Sequence, residues 1–78
     1  MDAKELAEVI NEFIARGSRA YVRRGWKEIV RVEVGRKSVR LFYADGGVAR
    51  LAPDVFTQMH IVIDFYANSL RYSWRSSH

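Results

Sequence analysis

Cysteine is absent from this chain of 78 residues. That removes disulfide staples, thiolate nucleophiles and cysteine-based metal sites together, and it suits a reducing compartment. Histidine is nearly as scarce. His60 and His78 stand among scattered acids without metal-ligand spacing, so no metal or other cofactor is expected. The one proline, Pro53, punctuates elements rather than domains. No apolar run approaches the roughly 18 residues of a membrane span. Met1-Asp2-Ala3-Lys4-Glu5 also lacks the basic and apolar regions of a signal peptide. The expectation is a soluble cytoplasmic protein with no membrane contact. Without repeats, low-complexity tracts or linkers, residues 1–78 are expected to form a single compact domain.

What is present argues for a real core. The composition is 49% apolar and includes ten aromatic residues, too much for a disordered chain. A domain this small is only marginally stable on one core, which leaves a homo-oligomer open. Charge is the most uneven property. Residues 16–50 carry ten of the thirteen lysines and arginines against Glu28, Glu33 and Asp45, a balance of +7. Residues 1–15 balance to −3 and residues 51–78 to zero. Like charges repel and weaken a compact state, so such a block points to a polyanionic or acidic partner. Ten of the thirteen cations are arginine. Its planar fork pairs with phosphate or carboxylate and stacks on rings, although a GC-rich genome would also raise the arginine content.

The periodicities give an order of elements. Asp2 and Glu5 make a capping-box-like start, and Leu6, Val9, Ile10, Phe13 and Ile14 follow one helical stripe as far as Gly17. Glu5, Glu8 and Glu12 then lie on a solvated polar side. From Ser18 to Leu51 the period becomes two. Ala20 and Val22 begin it, Val30, Val32 and Val34 continue it, and Val39, Leu41 and Tyr43 follow. Asp45-Gly46-Gly47 is a strong turn signal before a short strand from Val48 to Leu51. The remainder reads in two ways. As strands, Met59, Ile61, Ile63 and Phe65 alternate, and Asn68-Ser69 turns the chain into Leu70, Tyr72 and Trp74. As a helix opened by Pro53, Phe56, Met59, Ile63, Tyr66 and Leu70 form a stripe opposite Thr57, Asp64, Asn68, Arg71 and Arg75. That polar line favours the helix, at the cost of β-branched Ile61, Val62 and Ile63. The fold expected is α+β: an N-terminal helix, an antiparallel meander of three or four strands, and a C-terminal helix.

The meander suggests a site. If its valine rows face the helices, the pleat puts Arg19, Tyr21, Arg23, Lys27, Ile29, Arg31, Arg40 and Phe42 on the opposite face. Arg24, Arg36 and Lys37 join them from the turns. Cations interleaved with rings on a sheet suit single-stranded nucleic acid, where rings stack on bases and cations neutralise phosphates. Two plainer accounts compete. Glu28 and Glu33 can pair with Arg31 and Arg40 across strands, or the C-terminal helix or a second subunit can cover the face. No ribonucleoprotein-type octapeptide, helix-turn-helix, zinc-finger spacing or GxxG clamp is present.

Trp26 follows Arg23-Arg24-Gly25, and Trp74 lies between Arg71 and Arg75. Tryptophan beside arginine marks either an interface anchor or the end of a small core; Trp74 joins the candidate contacts as an anchor. His60 and Asp64 invite an acid–base reading, but no serine, threonine or lysine is marked as their nucleophile, and no catalytic residue is assigned. The expected function is a small, basic, non-enzymatic binding module for nucleic acid, single-stranded or RNA preferred. The alternative is a small protein-binding inhibitor or adaptor, of the kind phages and mobile elements encode as anti-CRISPRs, docking on an acidic or nucleic-acid-handling machine.

Overall fold

A computed structural model describes residues 1–65 and 70–75, with side chains as far as Asp64. Helix α1 (Ala3–Ala15) starts where Asp2 accepts a hydrogen bond from the Glu5 amide at 2.8 Å. It ends at Arg16, where the Ser18 and Gly17 amides donate back to Phe13 and Ile14, both at 3.0 Å. Gly17, at φ +94°, makes that left-handed closure available. Four strands follow as the expected meander: β1 (Arg19–Val22), β2 (Lys27–Val34), β3 (Val39–Tyr43) and β4 (Val48–Leu51).

The long C-terminal helix does not form. Helix α2 covers only Pro53–Thr57, and β5 (His60–Phe65) and β6 (Leu70–Arg75) occupy the rest. The β-branched run explains the difference, since Ile61, Val62 and Ile63 pack well on a pleated surface and poorly on a helix. Ile61 and Ile63 pair with Val22 and Ala20 and join the core beside them. The polar spacing that favoured a helix carried no such packing. The strands among the described residues therefore number six, in the order β4-β3-β2-β1-β5-β6, with every neighbouring pair antiparallel. The Asn68-Ser69 turn lies outside the described residues.

One face of the sheet holds the core. Leu6, Ala7 and Ile10 of α1 and Phe56 of α2 pack against Ala20, Ile29, Val32, Val39, Leu41, Ile61 and Ile63. The second face follows from a bulge in β2. Ile29 lies opposite Tyr43 and Arg31 opposite Phe42, so Val30 is an extra residue. Ile29 is therefore a core residue at 1% exposure and Val30 is 44% exposed, the reverse of the regular alternation. Like-charged Arg40 and Arg50 face each other across β3 and β4.

The sheet needs one further tie. The β1–β2 register stops at Ala20 and Ile29, while β2 runs on to Val34. Asn11 of α1 supplies the missing partner at Val32: its amide nitrogen donates to the Val32 carbonyl at 2.8 Å, and its oxygen accepts from the Val32 amide at 2.9 Å. Among the described residues no helix is long and apolar enough to cross a membrane.

Truncating Asn11 leaves two partly buried backbone groups unpaired. Asn11→Ala is expected to lower unfolding free energy by roughly 2 kcal/mol in a urea titration. The exposed neighbour Glu12→Ala should change it by about 0.5 kcal/mol or less. Equal effects from the two substitutions would contradict the tie.

Candidate nucleic-acid interface

No described element covers the second face of the sheet. Both helices contribute to the core side. Register places Arg19 and Tyr21 of β1, Glu28, Arg31 and Glu33 of β2, Arg40 and Phe42 of β3, and Val48 and Arg50 of β4 on the outer side. From β5, Val62 and Asp64 lie opposite Tyr21 and Arg19. The four arginines of these strands meet three carboxylates, so the face is basic but internally braced.

The bracing is specific. Glu33 bonds the Arg40 guanidinium at 2.9 Å and the Arg31 guanidinium at 3.1 Å. Arg31 in turn lies 4.3 Å from the centroid of the Phe42 ring, and Arg40 lies 6.0 Å from it. Arg40 and Arg31 thus frame one aromatic surface, with Glu33 fixing both heads. Each such pair is individually weak at an exposed site. Beside Phe42 lies a depression of about 380 Å³ lined by Val30, Arg31, Phe42, Tyr43, Gly46 and Gly47. The bulge opens it by pushing Val30 outward.

A second aromatic station sits where β1 turns into β2. Gly25 and Trp26 both have left-handed backbone, at φ +84° and +52°. Glycine accepts this at no cost, but a bulky side chain pays about 1–2 kcal/mol for it. Trp26 is nevertheless 51% exposed, with Arg23 at 4.9 Å from its ring centroid and Tyr21 edge-on at 6.2 Å. Strained and uncovered, this ring is not there to fill a core. Its backbone conformation was not legible in the sequence; the Gly25-Trp26 pair after two arginines was the available signal. Tyr21 closes the group: with Glu28 and Asp64 it holds the Arg19 guanidinium above its ordinary pKa, the Tyr21 hydrogen bond contributing most.

The other expected contacts divide by position. Arg23 and Arg24 stand at the β1–β2 turn, and Arg36 and Lys37 at the opposite end of the meander, all exposed. Lys27 belongs to the other side. It pairs with Val22, and its ammonium lies 5.0 Å from the Tyr43 ring and 3.9 Å from Asp45. Ile29 is likewise removed from the platform by the bulge. The Trp74 side chain lies outside the described residues; its backbone pairs with Ile61. His60 and Asp64 are separated by about 13 Å of extended backbone, too far for the mutual hydrogen bond that a helix face would have allowed. Among the described residues no cluster of three His, Cys, Asp or Glu side chains is placed to hold a metal ion.

No protein-family model matches this chain, and no curated protein or solved structure shows a significant match to it.

Tyr43 reports on the rim of this site. Burial first, and the Asp45 carboxylate second, raise its hydroxyl pKa above 10.0. Its neutral form is favoured by the fold, so this contribution is intact below about pH 10 and is lost as pH rises through the folded pKa. Tyr43→Phe is expected to lose less stability than the parent between about pH 9 and pH 11. Urea midpoints of both proteins across that range provide the check; parallel curves would contradict it.

Proposed function

We propose that the protein is a non-enzymatic cytoplasmic module that holds single-stranded nucleic acid, RNA included, on the outer face of its sheet. The observation that carries this reading is the pairing of rings with guanidinium groups on a surface that no described element covers. Trp26 has Arg23 and Phe42 has Arg31 and Arg40, while Tyr21 stands edge-on to Trp26. A base can stack on a ring or on the guanidinium plane above it, while the same cations neutralise its phosphates. Duplex is a poorer fit, because its bases are already stacked within the helix. Arg24, Arg36 and Lys37 extend the basic surface at the two ends. A protein-docking role draws on the groove beside α2, which shares only Arg23 and Arg24 with this surface.

Affinity on this reading comes from charge and stacking together. With four to six phosphates contacted, the slope of log K against log salt is expected near −3 to −4 for a single strand. Fluorescence anisotropy with labelled oligothymidylate, oligouridylate and duplex of about 20 nucleotides tests this across a salt series. Phe42→Leu keeps the apolar bulk and should still weaken single-strand binding about tenfold. Equal affinity of this variant and the parent, or a preference for duplex, would reject the platform.

Two substitutions separate binding from folding. Trp26→Asn relieves the left-handed strain, so thermal stability should hold or rise while single-strand affinity falls about tenfold. Glu33→Gln releases Arg31 and Arg40 from their internal carboxylate, and single-strand binding at low salt should tighten by roughly threefold or more. Weaker binding by Glu33→Gln would mean that the ordered arginines matter more than their free charge.

A further inference from the structure

On the other side of the molecule, between α2 and the ends of β1 and β4, lies a groove of about 480 Å³ lined by Val22, Arg23, Arg24, Leu51, Val55, Met59 and His60. Its floor is apolar, and no carboxylate contributes to its lining. Phe56 anchors α2 in the core at full burial, and the adjoining Val55 is left 49% exposed on the groove wall. The wall is therefore preformed, and its exposed valine does not serve the core. Two arginines stand at the mouth. Arg23 rests on Trp26, and Arg24 has no ion pair among the described residues.

We propose that this groove docks an extended acidic segment of a partner protein. One aliphatic side chain of that segment sits among Val22, Leu51, Val55 and Met59, and flanking carboxylates meet Arg23 and Arg24. The lining decides between ligand classes. A nucleobase could stack only at the margin, on His60 or on the guanidinium planes of Arg23 and Arg24, whereas the floor of Val22, Leu51, Val55 and Met59 is aliphatic. A branched aliphatic side chain gains from burial in such a floor in proportion to its area. Charge decides the rest: two arginines with no acid beside them favour a segment bearing Asp or Glu and repel a basic one. The aliphatic anchor lies away from Phe42 and Glu33, while Arg23 and Arg24 are shared with the nucleic-acid reading, so the two ligands would compete for those two cations.

Random dodecapeptides displayed on phage and selected on the immobilised protein provide the probe. The expected enriched sequences place an aliphatic residue next to Asp or Glu. Their synthetic copies should lose about tenfold or more in affinity when that residue becomes serine, and similarly against Val55→Asp and Arg24→Glu. Val55 is exposed, so Val55→Asp should keep the circular dichroism spectrum of the parent; Val55→Ser offers a milder second variant with the same direction of effect. Saturating oligothymidylate should weaken peptide binding through the shared Arg23 and Arg24, whereas Phe42→Leu, a change on the outer face alone, should leave peptide affinity unchanged. No enrichment, sequences without acids, parent-like binding to both Val55→Asp and Val55→Ser, or loss of peptide affinity in Phe42→Leu would each overturn the proposal. A homodimer dispersed by Val55→Asp in sedimentation would also overturn it, assigning the groove to a second copy.

Discussion

The hydrogen bonds between Asn11 and Val32 are the constraint on which the arrangement depends. A helix lying on a sheet ordinarily meets it through side chains alone, and its position can slide by a fraction of a turn. Here α1 reaches the sheet backbone itself, at both the amide and the carbonyl of one residue. The contact fixes the helix where β2 outruns β1, so that Leu6, Ala7 and Ile10 fall over the core strands. It also completes β2 beyond its last partner in β1. The contact commits α1 to one side of the sheet, Phe56 holds α2 on the same side, and no described element lies on the other.

What those side chains do depends on the bulge at Val30. With an extra residue in β2, Ile29 and Val32 both reach the core while Arg31 and Glu33 both face outward. A regular strand could not do this, because a pleat that buries Ile29 would turn Val32 outward. The bulge thus sets Arg31 over Phe42 and puts Glu33 within reach of two guanidinium groups. The outer face carries an excess of positive charge held in order by its own carboxylates. Order of this kind lowers the entropy that arginine side chains lose on meeting an anion, while each carboxylate lowers the charge offered.

Much of this organisation was legible in the sequence, and the failures have physical causes. Helix α1 announced itself through a cap, a stripe and Gly17, all local signals. The meander did so through alternation and Asp45-Gly46-Gly47. Residues 60–75 supported two periodicities at once, and the choice went to polar spacing when the β-branched cluster at Ile61 to Ile63 carried the packing information. The bulge was hidden because Ile29-Val30-Arg31-Val32 offers two apolar residues for one inward position, and only the partner strand selects between them. Asn11 carries a subtler signal: a polar amide between Ala7 and Ile14 on a buried stripe needs a partner, but the sequence does not say which. The candidate cations are visible as a block, but alternation alone puts Lys27 on the outer face, whereas its pairing with Val22 puts it on the core side.

The facing pair Arg40 and Arg50 has a consequence for the end of the sheet. Strand β4 is its outermost member on that side, and outermost strands tend to recruit further strands into fibrils. Beside β3, Arg40 is relieved by Glu33, whereas Arg50 lies one step farther out, with no described counterion. A second molecule adding by its own β4 would bring another arginine to a row that already has two. The sheet therefore ends in a charge that disfavours pairing with its own kind along this edge.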